Sequence, residues 1–309
     1  GIGRSFALNR REPLSNYLTS KELIQHFCKL VAAGGGMTLN VGPAADGKIP
    51  MLQQERLKDL GEWLAVNGEA IYETRPYTHF YEYEDVELKR TDSVLNFNWK
   101  RNSPDKSISY DNFTAEWTGM IVPKYTEKYT FEIEAEDYAM VIVGDDTIIN
   151  YTKPDANATE SNAEEALKHN ATKATLKLKK AEQYPIKILY KETNLEAVMK
   201  LWWQSASQAK EYVRPLNGFE AKYACRQPVV CYTTKGNDLY AIALKYPDEV
   251  LQLNNIEPPA SDMKVQLLGC DKELKWDYDS TAKTLRIYTT NLKYSDIKSD
   301  AAWVFVMHR

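Results

Sequence analysis

One parallel-type strand stands alone near the start of this chain, and everything after it reads as short antiparallel strands. Met37-Thr38-Leu39-Asn40-Val41 is a mostly apolar run, as expected of a parallel strand covered on both faces. It lies between two helical patterns. Thr19-Ser20-Lys21-Glu22 is a capping box, after which Leu23, Phe27, Leu30 and Val31 recur at helical spacing. Gly34-Gly35-Gly36 ends that helix, because glycine takes left-handed dihedrals at little cost. Pro50 suits a first helical turn, and Leu52, Leu57, Leu60 and Leu64 follow, closed by Asn67-Gly68. A single parallel strand has no neighbour to pair with, so residues 1–83 cannot be a complete domain. Its unpaired edges predict that roughly the first 70 residues are disordered, repacked or paired with a partner chain.

Residues 84–216 change character. Tyr129–Glu134 alternates with period two, Met140–Val143 and Ile148–Tyr151 flank a hairpin signal at Gly144-Asp145-Asp146-Thr147, and Thr175–Lys179, Tyr184–Tyr190 and Val198–Gln204 complete the set. Pro154–Thr172 reads as a long loop or short helix. Residues 217–309 continue with Cys231–Thr233, Leu239–Leu244, Lys264–Leu268, Glu273–Tyr278, Thr284–Tyr288 and Ala302–Met307. The pattern alone predicts a multidomain, mainly β chain: a fragment of a parallel α/β fold (1–83), an antiparallel sandwich (84–216) and further β-strands (217–309).

Composition narrows the function. With 309 residues, 39 Lys+Arg against 43 Asp+Glu and a net charge of −4, the surface is unsuited to nucleic acid. No apolar run approaches a membrane span. Cys28, Cys225, Cys231 and Cys270 are scattered without metal-ligand spacing and read as small buried residues. The histidines are isolated, and no metal or cofactor is expected. Gly1-Ile2-Gly3-Arg4 carries neither an initiator Met nor a leader pattern, so the chain is expected to be processed or part of a longer protein.

The residues alone present no convincing catalytic set. Gly34-Gly35-Gly36 ends a helix instead of opening one, so turn chemistry explains it better than a phosphate cradle. Asp145-Asp146 could hold a cation, but a hairpin turn accounts for both. Glu136-Asp137 is a more unusual carboxylate pair, following a strand in an aromatic and aliphatic stretch; a ligand or Ca²⁺ role stands beside a solvated strand end. Trp99, Trp117, Tyr129, Trp202 and Trp203 could stack on sugars or fill a core. Asn112, Asn150, Asn157 and Asn170 head glycosylation acceptor patterns.

Longer motifs carry a resemblance. Ser5-Phe6-Ala7-Leu8-Asn9-Arg10 looks like the Ser-Trp-Gly-Tyr-Asn-Arg segment of α-L-fucosidases, glycoside hydrolase family twenty-nine. Gly34 to Gly47 resembles that family's Gly-Gly-Asn-Leu-Leu-Leu-Asn-Ile-Gly-Pro-Thr-Ala-Asp-Gly stretch. Gly61-Glu62-Trp63-Leu64, Asn67 to Tyr72 and Thr74-Arg75-Pro76 continue it. Tyr232 to Gly236, Leu239 to Ile242, Leu267-Leu268-Gly269 and Leu274-Lys275-Trp276 look like the family's C-terminal sandwich. Between them, Phe97-Asn98-Trp99, Asp111-Asn112-Phe113, Glu116 to Gly119, Tyr129-Thr130-Phe131 and Tyr184-Pro185-Ile186 resemble a protective-antigen-like (PA-fourteen) module.

The resemblance implies a terminal fragment of a (β/α)8-like barrel (1–83) followed by two antiparallel β-sandwich domains (84–216 and 217–309). It further implies the C-terminal portion of a retaining enzyme, in which one carboxylate attacks the anomeric carbon and another acts as acid/base. Both would lie upstream of Gly1, in a missing N-terminal catalytic barrel, leaving this chain with no catalytic residue. Phe6, where Trp is usual, would be the apolar substrate-binding wall. Some modules of the inserted type bind calcium and sugar through consecutive aspartates matching Glu136-Asp137, the carbohydrate-binding candidates; Glu136 departs from that pattern. Expected partners are fucosylated glycans, and the expected setting is extracytoplasmic (periplasmic, secreted or lysosomal). The alternatives are a non-enzymatic carbohydrate-binding protein and a spacer module without ligand.

Overall fold

The computed structural model describes residues 1–100, 102–153 and 171–309. The protein is mainly β and divides into two compact units, Gly1–Glu84 with Pro228–Arg309, and Asp85–Gln227. Two long strands, β1 (Arg75–Asp92) and β11 (Phe219–Lys235), have residues in both units.

The Asp85–Gln227 unit has two sheets. In the first, β3 (Phe113–Ile121) pairs with Glu220–Cys225 of β11 on one side and β8 (Tyr184–Glu192) on the other. Beyond β8 come β5 (Tyr138–Val143) and β6 (Asp146–Thr152). In the second, β9 (Ala197–Gln204) pairs with β4 (Glu127–Ala135), β2 (Asn96–Lys100) and β10 (Glu211–Tyr212), and β4 pairs with β7 (Lys173–Leu178). All these pairings are antiparallel. Along β4 the residues Tyr129, Phe131 and Ile133 are buried and their neighbours are not, so alternate side chains enter one core. Trp117, Phe113, Tyr190 and Tyr223 fill that core. It also holds a buried carboxylate, Asp92, which accepts from Arg90 Nε (2.8 Å), Trp117 Nε1 (2.9 Å) and Tyr223 OH (2.5 Å). A buried charge is tolerated only when so surrounded.

The other unit has three layers. One sheet runs β14 (Lys264–Leu267), β17 (Trp303–His308), β12 (Asp238–Ala243) and Val230–Lys235 of β11. A second joins β13 (Val250–Leu253), β16 (Thr284–Tyr288) and β15 (Lys275–Asp279). Leu239, Ala241, Phe305 and Met307 face a core shared with Leu253, Leu285 and Ile287 of the second sheet. Tyr240, Ile242, Val304 and Val306 face the opposite way, onto Ile24, Cys28 and Ala32 of helix α1 (Ser20–Ala32) and Trp63 of helix α2 (Met51–Asn67). The first sheet is therefore buried on both faces, and β17 reads as an unbroken apolar run for that reason.

The capping box forms: Glu22 N donates to Thr19 Oγ1 (3.2 Å), and Thr19 N donates to Glu22 Oε2 (2.8 Å). At the other end Gly35 N reaches Leu30 O and Gly34 N reaches Val31 O, both 2.9 Å, with Gly34 at φ 79°. That pair of bonds is a Schellman motif, and it requires the left-handed residue that Gly34 provides.

One expectation needs correcting. Met37–Val41 forms no strand. No neighbouring strand lies beside it among the described residues, and an extended segment without a ladder is held by other means. Here Ile2 N donates to Asn40 O (3.3 Å) and Gly42 N to the buried Gln53 Oε1 (2.9 Å). The buried face of α2 is centred on Gln53, Trp63 and Asn67, while Leu52, Leu57, Leu60 and Leu64 are half-buried. Within the first 70 residues, α1 and α2 pack on the sheet through Ile24, Cys28, Ala32 and Trp63. Residues 154–170, with Asn157 and Asn170, lie outside the described residues.

Candidate functional sites

The first candidate lies at the start of the chain. Asn40 Nδ2 donates to Phe6 O at 2.6 Å. A Cβ on Gly42 would meet Leu8 N at 2.6 Å, so glycine permits the two backbones to approach. The segments Ser5–Arg10 and Gly34–Gly47 are thereby brought together. Phe6 is 85% exposed. Nearby acids have structural partners. Glu12 Oε1 accepts from Arg4 N (2.6 Å), Asp46 pairs with Lys48 (3.3 Å), and Glu69 accepts from Tyr240 OH (2.7 Å).

The second candidate is one end of the Asp85–Gln227 unit. Glu136 and Asp137 occupy the turn between β4 and β5, with Asp137 at φ 51°. Glu136 is ion-paired with Lys153 Nζ. Asp137 Oδ2 accepts from Thr193 N (2.6 Å), and its carbonyl accepts from Lys153 N (2.7 Å). Beside them Glu192, at the end of β8, is fully buried. Its Oε2 accepts from Tyr190 OH (2.8 Å), and its Oε1 has no hydrogen-bond partner among the described residues. Burial first, then the charges of Asp137, Asp111 and Glu136, push the Glu192 carboxyl up to about 7. Among the described residues no three His, Cys, Asp or Glu side chains are grouped so as to hold a metal ion.

Sequence reasoning found Glu136 and Asp137 but missed Glu192, Lys153 and Thr193. Glu192 was findable: it is in phase with the inward-facing Ile186, Ile188 and Tyr190 of β8, where a carboxylate is out of place.

The aromatic candidates divide. Trp117, Tyr129 and Trp203 are buried core, and Trp99 is stacked on Phe97 with centroids 4.8 Å apart. Trp202, out of phase with Leu201 and Trp203, is half-exposed. It stacks on Tyr212 across the β9–β10 pair at 5.2 Å, and Lys210 Nζ lies 4.5 Å over its ring. A separate groove of about 640 Å³ opens at the other end of β5, lined by Gly144, Pro185, Met120 and Leu216 among others.

Comparison with known proteins divides the chain into three matched segments. The α-L-fucosidase family matches residues 1–69, the α-L-fucosidase C-terminal domain matches 225–308, and the PA14 domain matches 70–216. The chain carries α-L-fucosidase sequence on both sides of a PA14 domain. Plasma α-L-fucosidase of Rattus norvegicus is 36% identical over 109 residues, 35% of this chain and 22% of that protein. Tissue α-L-fucosidase of Homo sapiens is 41% identical over 73 residues, 24% and 16%. The anti-sigma-I factor RsgI3 of Acetivibrio thermocellus is 32% identical over 142 residues, 44% and 20%. The chain thus spans about a fifth of the length of the curated relatives it matches. No helix among the described residues is long and apolar enough to cross a membrane.

Proposed function

We propose that this chain is the C-terminal portion of a retaining α-L-fucosidase that removes terminal fucose from glycans in an extracytoplasmic setting. The observation that carries the reading is the order of segments: fucosidase sequence, PA14 domain, fucosidase C-terminal domain. In this reading residues 1–83 are the last part of the catalytic barrel, 84–216 the inserted module and 217–309 the stabilising sandwich. Apolar side chains left open on the first segment, Phe6, Leu14 and Met51, support a further layer over them.

The nucleophile and the acid/base then belong to the remainder of the barrel, and this chain alone does not hydrolyse fucosides. The engagement of Glu12, Asp46 and Glu69 in structural contacts supports that view. Phe6 is the residue of this chain assigned to the substrate, as an apolar wall against the sugar methyl. Purified chain is assayed on an aryl α-L-fucoside; no turnover is expected, and turnover that persists through exhaustive purification overturns the reading.

A second reading, a carbohydrate-binding protein without catalysis, is favoured by the outward Trp202–Tyr212 pair. Saturable glycan binding lost in Trp202→Ala, with no partner barrel required, supports it.

A further inference from the structure

The Glu136–Asp137 turn is where a divalent cation would sit by resemblance, and each of its two carboxylates already has a partner within the protein. A hard cation such as Ca²⁺ needs six to eight oxygens, several of them ionised carboxylates. Glu136 is held by the Lys153 ammonium. Asp137 gives one carboxylate oxygen to Thr193 N and its carbonyl to Lys153 N. The third carboxylate, Glu192, is fully buried, and its Oε2 accepts from Tyr190 OH. The residues present therefore do not fit the ion.

We infer that the Lys153 ammonium takes the role of the cation at this end of the PA14 unit, so that the Glu136–Asp137 turn is held, and serves any ligand, without a divalent metal. The charge balance supports it. Asp137, Asp111 and Glu136 each act on Glu192 here, and both Glu136 and Asp137 act on Lys153. Its tether is short: the Lys153 backbone is hydrogen-bonded to Asp137 O, so chain and side chain both close on the turn. Position 153 follows β6, whose Thr152 pairs with Tyr138 immediately after the turn, which fixes the approach of the lysine.

The test uses the full 309-residue chain. Thermal unfolding is followed in EDTA and in millimolar CaCl₂, and calcium binding is measured directly by titration calorimetry. For the wild type, no calorimetric binding and a shift under about 1 °C are expected. Lys153→Met frees Glu136 and is expected to unfold earlier in EDTA and to recover on adding CaCl₂, whereas Lys153→Arg stays calcium-indifferent. Saturable calcium binding by the wild type overturns the inference, and so does a Lys153→Met protein that calcium leaves unmoved. If Lys153→Met does not fold, the wild-type titration decides alone.

Discussion

The two units solve the burial problem differently. In the PA14 unit β4 has one inner face and alternates accordingly: Tyr129, Phe131 and Ile133 inside, Lys128 and Glu134 outside. In the fucosidase unit β12 and β17 have no outer face. Leu239 and Tyr240, Phe305 and Val306 are all buried, on opposite sides of one sheet. The difference lies in the helical layer that residues 1–69 add. Trp63 Nε1 donates to Ala302 O (3.0 Å), Gln25 Nε2 to Leu244 O (2.6 Å) and Ala301 O (2.9 Å), and Thr233 Oγ1 to Ala70 O (2.7 Å). An antiparallel sheet ordinarily shows water one face. This one instead has the hydrophobic continuity of a parallel strand.

The comparison breaks first at β17. Val304→Asp places a charge where no partner exists, and the fucosidase unit should fail to fold, seen as loss of amide-exchange protection in residues 228–309. Trp63→Ala should cost about 3–5 kcal/mol in denaturant unfolding of the same unit, leaving a cavity and an unpaired Ala302 carbonyl. In the other unit Asp92→Asn should cost about 3 kcal/mol, because Arg90 then lacks its buried counter-charge.

A smaller effect is pH-dependent. The Glu192 carboxyl is raised to about 7 in the fold, above its ordinary 4.5, so the folded state holds a proton that the unfolded chain has released. Stability of the PA14 unit should therefore fall as pH rises from about 4.5 to 7. Glu192→Gln should abolish that slope and gain on the order of 2 kcal/mol at pH 8. A wild-type stability that rises across this window would contradict the assignment. The smallest effect is expected on the exposed face: Lys128→Asp should leave unfolding midpoints unchanged.

The strands and helices that depend on local pattern were legible. Thr19 and Glu22, Gly144 at its hairpin and the alternation of Tyr129–Glu134 each announce their structure over a few residues. β1 was not legible. Its burial alternates with period two apart from one slip at Tyr81-Glu82, but the inner positions include His79, Glu82, Glu84 and Arg90, so no apolar alternation announces the strand. Met37–Val41 misled because an apolar pentapeptide specifies a strand only when something stands beside it. At the candidate sites, Glu136 and Asp137 were visible as an odd pair. Their partners Lys153 and Thr193 are 17 and 56 residues away respectively, and only the sheet register joins them.

Cys28 on α1 and Cys231 on β11 are both buried in the interface between the helical layer and the sheet. Burial raises both thiols, Cys231 to about 12 and Cys28 well above its ordinary value, so neither is a competent nucleophile while the layer is down. Their alkylation rate is then a clock for undocking. A thiol reagent added to the native protein would label these two residues only as often as α1 lifts from the sheet, whereas the partly exposed Cys270 reacts without that motion, and mass-mapping separates the two.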